Sequence, residues 1–142
     1  MQEITLLLGD CVERMREMPE GVQILVTDPP YGLEFMGKNF DKLGDGDAQQ
    51  LWHLKWLRAA YRVIEPGGVI KAFSAPRTYH RLATAMEQAG FIELRLEAWV
   101  YGSGFPKSLD LETTAGEVWA GWGSALKPAW EPFVVGVKPY PR

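Results

Sequence analysis

The short stretch TDPPYG, from Thr27 to Gly32, brings together a carboxylate, two prolines, an aromatic ring and a glycine. Each proline fixes its φ angle and lacks an N–H group, so the turn is rigid and regular backbone pairing does not consume its carbonyl oxygens. The Asp28 carboxylate and the Pro29 carbonyl can then accept hydrogen bonds from one donor with two N–H groups, and Tyr31 offers a flat face for stacking. Such a corner suits a planar molecule with an exocyclic amine, as in a nucleobase.

The residues before this stretch predict a buried strand. The segment VQILVTD is nearly continuous in aliphatic and β-branched side chains, which is typical of a strand covered on both faces. Ligands of open α/β sheets bind beyond the carboxyl ends of strands, and Asp28 lies at such an end. We therefore expect a ligand site at residues Asp28 to Tyr31, which we call the DPPY corner.

Strand-like and helix-like segments alternate along the rest of the chain. Further strands are predicted at ITLLLG, VIKAFS, FIELRLEAWVYG and FVVGVKP, and helices at CVERMREMP, AQQLWHLKWLRAAYRVIEPGG and PRTYHRLATAMEQAG. The polar, glycine-rich segment from Gly32 to Asp47 predicts a mobile loop. This order predicts an α/β fold with a mostly parallel sheet and an antiparallel C-terminal strand.

The composition is that of an ordinary globular protein. With 46% hydrophobic and 23% charged side chains, the 142 residues are expected to form a single domain around one core. One cysteine, Cys11, excludes an internal disulfide and fits a reducing, cytoplasmic setting, and we expect no signal peptide and no membrane partner. The net charge of −3 argues against a protein that coats nucleic acid by itself.

The DPPY corner and its surroundings resemble a known family. The run GDCVERMREMPEGVQILV with TDPPYG is similar to the start of the permuted (beta) class of DNA amino-methyltransferases, in which Asp-Pro-Pro-Tyr precedes the cofactor-binding glycine motif. The segments WLRAAYRVIEPGGVIKAFSAPRTYHRLATAMEQAGF, WVYGSGFPKSLD and GWGSALKPAWEPFVVGVKP are similar to segments of phage and prophage members. The resemblance covers nearly the whole chain. It implies a three-layer, Rossmann-like methyltransferase fold, with residues 1–142 as a single catalytic domain and no separate target-recognition domain.

The same resemblance implies an activity. Members transfer the methyl group of S-adenosylmethionine to the exocyclic amino nitrogen of a DNA base that is flipped out of the duplex. Asp28, Pro29, Pro30 and Tyr31 would form the catalytic pocket, and Asp28 and Asp10 would approach the cofactor. Asp at the first motif position is commoner with adenine and Ser with cytosine, so Asp28 favours adenine N6 over cytosine N4. Asp10 is explained equally well as a helix N-cap.

Six side chains in the second half of the chain are candidates for contacts with DNA. They are Arg77, His80, Arg81, Lys107, Ser108 and Lys127. Each is also explained as an ordinary solvated surface residue. We expect no metal site, because His53 and His80 lack a third ligand at a suitable spacing.

One segment of the family pattern is not found. Relatives carry Phe-x-Gly-x-Gly under the methionine part of the cofactor; the nearest match here, YGSGF at residues 101–105, does not open an apolar helix. In the permuted class the missing segment would follow the last residue of this chain. We therefore expect an incomplete fold with uncovered apolar strand edges. A homodimer, or a second polypeptide that supplies the cofactor-binding half, would cover them.

Two other functions stay open at this point. One is a methyltransferase of protein glutamine or RNA, which uses a similar turn with Asn in place of Asp28. The other is a non-autonomous split subunit or a truncated prophage remnant that retains only the catalytic half. Binding of S-adenosylmethionine by the purified chain would separate the second alternative from an intact enzyme.

Overall fold

The computed structural model describes residues 4–34, 37–102, 110–123 and 130–141. The chain divides into two compact units, residues 1–97 with 132–142, and residues 98–131. The single catalytic domain over residues 1–142 stays a prediction. No helix of the described segments is long and apolar enough to cross a bilayer.

Helices and strands alternate, as the sequence pattern predicts. In chain order they are α1 (Cys11–Glu17), β1 (Val22–Thr27), α2 (Asp47–Val63), β2 (Ile64–Phe73), α3 (Tyr79–Ala89), β3 (Ile92–Val100), α4 (Leu111–Ala115) and β4 (Trp130–Val137). The strands form one sheet in the order β1-β2-β4-β3. Strand β1 is parallel to β2 and β4 is antiparallel to β2, which confirms the α/β class and the antiparallel last strand.

The core lies between the sheet and the helices α2 and α3. Leu57 of α2 and Leu82 of α3 are completely buried against Ile70 and Ala72 of β2 and Val134 of β4. Burial of such side chains contributes roughly 1.5–3 kcal/mol each. Helix α1 packs on α2, so α1, α2 and α3 form one layer on this face of the sheet.

The opposite face of β2 is only half-buried. Its residues Val69, Lys71 and Phe73 alternate with the buried ones, as the period of a strand requires. The rings of Phe73 and Phe133 lie 5.1 Å apart, and the Lys71 ammonium lies 5.7 Å from the centre of the Phe133 ring. A second helical layer, which the three-layer fold would place here, is not seen among the described residues.

Helix α1 is fixed at both ends by side chains. At its start, Asp10 Oδ1 accepts hydrogen bonds from the backbone N–H groups of Val12 and Glu13, at 2.9 and 3.2 Å. At its end, the Arg62 guanidinium donates to the carbonyl oxygens of Met15 and Met18. Because Arg62 belongs to the last turn of α2, these bonds tie α1 to the core.

The predicted strand ITLLLG is wrong. Residues 4–8 form no strand, although the structure describes all of them, and Leu8 is 97% exposed. A strand needs a neighbour that pairs with its N–H and C=O groups, and β1, at the edge of the sheet, pairs with β2 on its other side. The prediction that β1 is buried and covered on both faces is also wrong: none of its residues is buried, Ile24 is 63% exposed, and the sheet ends in an uncovered apolar edge.

Helix α2 ends earlier than predicted. The sequence favoured a helix that runs to Pro66-Gly67-Gly68, but the helix stops at Val63 and these residues open β2. Gly67 N–H donates to the Lys138 carbonyl at 2.8 Å, and Lys138 N–H donates to the Gly68 carbonyl at 2.9 Å. The proline and the glycines thus mark a bend at the start of a strand. Similarly, the predicted loop after β1 contains a 3-10 turn, Asn39–Asp41.

A histidine is buried inside α2. His53 is 1% exposed, and its Nδ1 accepts a hydrogen bond from the Trp56 indole N–H at 3.3 Å. Burial lowers the pKa of His53 from 6.5 to about 4, because the charged imidazolium would lose its hydration. His53 is therefore neutral and part of the core.

His53 should make the fold less stable in mild acid. Between pH 6.5 and about 4 the unfolded chain binds a proton at His53 that the folded protein does not bind. The free energy of unfolding should therefore fall by about 3 kcal/mol over this range from this group alone. In the variant His53→Gln, which keeps an acceptor for Trp56, denaturant unfolding should lose this part of the pH dependence. Identical pH dependence in both proteins would contradict the assignment.

Candidate active site

The DPPY corner begins directly after β1. The parallel ladder between β1 and β2 ends at Thr27 and Ala72, so Asp28 lies at the carboxyl edge of the sheet, as predicted. Asp28 is exposed, Pro29 is buried and Tyr31 is half-buried. The Tyr31 hydroxyl donates a hydrogen bond to Asp28 Oδ1 at 2.6 Å. The carboxylate and the aromatic ring of the motif therefore lie side by side at the surface.

Two buried side chains hold the backbone that follows the prolines. Asp41 accepts hydrogen bonds from the backbone N–H groups of Gly32 and Leu33, at 2.8 and 3.0 Å. The Gln49 amide donates to the carbonyl oxygen of Tyr31 at 2.7 Å. Asp41 is 3% and Gln49 5% exposed. The corner is thus connected to the 3-10 turn and to the first turn of α2.

Gly32 is required by this arrangement. Its φ of +69° lies in the left-handed region, which costs other L-residues roughly 1–2 kcal/mol. A Cβ at this position would lie 2.5 Å from Gln49 Nε2, which is an overlap of atoms. Gly32 therefore provides both the turn and the space for the Gln49 amide.

A cavity of about 340 Å³ adjoins the DPPY corner. It lies between the residues after Tyr31, the start of α2 and the segment before α3. Its lining consists of Gly32, Leu33, Glu34, Leu43, Gly44, Asp45, Gly46, Gln49, Arg77 and Thr78. The lining begins one residue after Tyr31, so the DPPY corner borders the cavity. Glu34, with a φ of +52°, is a strained residue in this lining.

The structure brings some of the predicted DNA-contact residues near this cavity. Arg77 lines it and is exposed. Arg81 Nη1 lies 3.4 Å from Asp47 Oδ1 at the start of α2, an exposed pair of little energetic weight. His80 is exposed on α3. The remaining candidates lie outside the described residues; they are Lys107, Ser108 and Lys127.

Asp10 acts as the N-cap of α1. This finding confirms the structural alternative for Asp10, since its Oδ1 binds two backbone N–H groups of the helix. Its approach to a cofactor stays a prediction. Within the described segments, no group of three His, Cys, Asp or Glu side chains is placed to hold a metal ion.

Asp41 and Gln49 were not among the residues predicted from the sequence. Asp41 stands in KNFDKLGDGD, which has the composition of a mobile loop, and Gln49 stands on the polar face of a predicted helix. Their partners lie 8, 9 and 18 residues away along the chain. No local sequence pattern predicts these hydrogen bonds, because they depend on how α2 and the loop pack.

Comparison with known proteins identifies the family. Residues 22–142 match the N6/N4 type of DNA methylase, and the chain belongs to this family. The match includes the DPPY corner, the cavity and all four strands. It agrees with the DNA amino-methyltransferase family that the sequence resembles.

Similar proteins include two type II methyltransferases. The chain is 32% identical over 75 residues to M.BamHI of Bacillus amyloliquefaciens, which covers 49% of this chain and 17% of that protein. It is 24% identical over 110 residues to M.HinfI of Haemophilus influenzae, covering 67% of this chain and 31% of that protein. The chain thus spans less than a third of the length of either relative.

A solved structure shares the fold. The DNA modification methylase TTHA0409 of Thermus thermophilus, solved in complex with S-adenosyl-L-methionine, superposes with a TM-score of 0.60 and 20% identity. The likeness covers 94% of this chain and 53% of that chain. It confirms the Rossmann-like methyltransferase fold predicted from the sequence, of which this chain matches about half.

Two glycines of the same loop test the packing at the corner. Gly32 and Gly37 have nearly equal φ angles, +69° and +66°, but a Cβ on Gly37 would meet open space. Gly37→Ala should therefore lower the free energy of unfolding by about 1 kcal/mol. Gly32→Ala should cost about 1–3 kcal/mol more, because it also displaces Gln49. Chemical denaturation of both variants measures the difference, and equal losses would contradict the close contact.

Proposed function

We propose that this chain is the catalytic part of an enzyme that transfers a methyl group from S-adenosylmethionine to the exocyclic amino nitrogen of a DNA base. Adenine N6 is favoured over cytosine N4, as the resemblance to the family implies for Asp28. The observation that carries the proposal is the exposed DPPY corner at the carboxyl edge of the sheet in a chain of the DNA methylase family.

The chemistry requires a better nucleophile than a free base provides. The lone pair of an exocyclic amino nitrogen is delocalised into the ring. Hydrogen bonds from its two N–H groups to the Asp28 carboxylate and the Pro29 carbonyl would favour a tetrahedral nitrogen and localise the lone pair. Tyr31 would stack on the base after it leaves the duplex. Positioning then supplies much of the catalysis, without a covalent enzyme intermediate.

Binding of the base would change the contact between Asp28 and Tyr31. The Tyr31 hydroxyl now donates to Asp28 Oδ1, the type of acceptor that the amino group needs. A carboxylate has two oxygens with several acceptor sites, so Asp28 can receive the amino group while Tyr31 turns its ring toward the base. In the transfer the nitrogen would take the methyl group from the cofactor's sulfur, which would leave as a neutral thioether, and Asp28 would accept the proton that the nitrogen loses.

The described residues fit the reacting end of the cofactor. When bound, S-adenosylmethionine supplies an electrophilic methyl group on a positively charged sulfur, and the exposed Asp28 carboxylate complements that charge. Asp10 is the second candidate: its Oδ1 caps α1, so a contact with the cofactor would use Oδ2. The segment that holds the methionine part in relatives has no counterpart among these residues.

A second polypeptide would supply that segment, and either that polypeptide or a second copy of the chain would cover the exposed strand edge. Support comes from the uncovered apolar edge strand β1, where Ile24 and Val26 are exposed. Apolar strand edges of this kind are covered in stable proteins.

Arg77, His80 and Arg81 are proposed to contact DNA phosphates. They lie at the start of α3 and just before it, and Arg77 lines the cavity beside the DPPY corner. Phosphate contacts there would set the register of the duplex and place the target base near Asp28. Lys107, Ser108 and Lys127 are additional candidates from the sequence. A DNA substrate would place the protein in the cytoplasm.

Asp28→Asn tests the catalytic role directly. The amide keeps the shape of the side chain but loses the negative charge and one acceptor. Transfer of labelled methyl groups to an adenine-containing duplex should fall at least about 100-fold. Asp47→Asn, the same change at an exposed acid, should stay within about threefold of the parent protein. Mass analysis of the digested nucleosides identifies N6-methyladenine or N4-methylcytosine; retained transfer by Asp28→Asn would remove Asp28 from the mechanism.

The same assay decides what the active form contains. It is run on the protein purified alone and on the protein co-expressed with the reading frames that neighbour its own. Transfer by the protein alone supports an autonomous enzyme, and transfer only after co-expression supports a second polypeptide. Absence of transfer in both preparations would contradict the proposed function.

A further inference from the structure

We propose that Asp41 and Gln49 are positioning residues for the methyl-transfer reaction. They hold the backbone of the DPPY corner in the shape that Asp28 and Tyr31 need. This inference rests on the proposed function and adds two residues to the site.

The DPPY corner has few backbone groups of its own with which to fix its shape. Pro29 and Pro30 have no N–H group, and the ladder of β1 ends at Thr27. Just beyond the prolines, three polar groups of the backbone, the Tyr31 carbonyl and the N–H groups of Gly32 and Leu33, are bound by side chains. The position of Tyr31 therefore depends on where Asp41 and Gln49 lie.

Asp41 is unusually buried for a carboxylate in a loop. Burial of a carboxylate costs several kcal/mol unless hydrogen bonds replace its hydration, and Asp41 is 3% exposed. Each of its oxygens accepts one backbone N–H, from Gly32 and from Leu33. Bonds from N–H groups to a charged acceptor contribute about 1.5–3 kcal/mol each. These two hydrogen bonds therefore attach the loop that contains Asp41 to the DPPY corner.

Gln49 connects the corner to the rigid core. It stands in the first turn of α2, whose later residues Leu57 and Ala60 are completely buried. Its amide donates to the Tyr31 carbonyl at 2.7 Å, and Gly32 leaves room for it. Movement of Tyr31 away from this position would break the bond and leave a buried amide unpaired.

The reacting geometry is sensitive to such movement. Displacement of a catalytic group by about 1 Å can reduce the rate about 100-fold without any change in the chemical groups present. Loss of either brace should therefore lower kcat, while binding of S-adenosylmethionine and of duplex DNA should change little. A brace that only stabilises the fold would lower the free energy of unfolding and leave kcat of the folded protein unchanged.

Asp41→Asn and Gln49→Leu are the test variants. The first removes one of two acceptors, and the second removes the donor at similar size. Asp47→Asn and Gln50→Leu are matched controls from the start of α2, because Asp47 and Gln50 bond toward α3. All are measured in the form of the protein that transfers methyl groups, by amide hydrogen exchange and by steady-state kinetics.

The test variants should raise the exchange rates of amides near the lost bond. For Asp41→Asn these are the Gly32 and Leu33 amides, with a rise of about tenfold or more and no change at Leu57. In both test variants kcat should fall about tenfold or more, with each KM within about threefold, while the controls keep parental values. Asp41→Glu should restore part of kcat, because it restores the second acceptor.

Three other results would contradict the inference or the proposed function. Unchanged exchange at Gly32 and Leu33 would show that Asp41 does not hold the corner. Faster exchange with parental kcat would leave Asp41 and Gln49 with a structural role only and overturn the inference. Absence of transfer by the parent protein would instead overturn the proposed function, and the inference with it.

Discussion

The organisation of this site depends on one constraint, the absence of N–H groups at Pro29 and Pro30. Without N–H groups at its two middle residues, the corner does not continue the sheet ladder, which ends at Thr27. Asp41 and Gln49 instead bind three backbone polar groups just beyond the prolines, the Tyr31 carbonyl and the N–H groups of Gly32 and Leu33. The same prolines keep carbonyl oxygens available beside the Asp28 carboxylate. The lack of N–H groups that suits the corner to accept hydrogen bonds therefore also makes its shape dependent on side chains from distant parts of the sequence.

The sheet provides the second part of the arrangement. Strand β1 ends at the edge where parallel strands present their carboxyl ends, and helix α2 begins beside the same edge with Gln49 in its first turn. Asp28 is thereby exposed while its support is buried. Strand β1 is also uncovered, with Ile24 and Val26 exposed. The proposed catalytic residues and the exposed apolar side chains thus belong to one strand and the turn that follows it.

Much of this structure was accessible from the sequence. The continuous run before Asp28 predicted β1, the apolar spacing predicted α2 and α3, and Asp10 was predicted as an N-cap. These features depend on neighbours along the chain. The prediction of a strand at ITLLLG was wrong because a strand needs a neighbouring strand to pair with, and none pairs with this segment among the described residues. Asp41 and Gln49 escaped prediction because their function arises only when separate segments pack, and their local sequence is that of an ordinary loop and helix.

We propose that the DPPY corner binds the amino group of an unstacked base through hydrogen bonds. A crystal structure of the protein, in its transferring form, with an adenine-containing duplex and S-adenosylhomocysteine tests it most directly. In that structure we expect the target adenine to lie outside the duplex and to stack on Tyr31. Its amino nitrogen should lie within about 3.2 Å of the Asp28 carboxylate and of the Pro29 carbonyl oxygen. An adenine bound elsewhere, or an amino group directed away from Asp28, would contradict it.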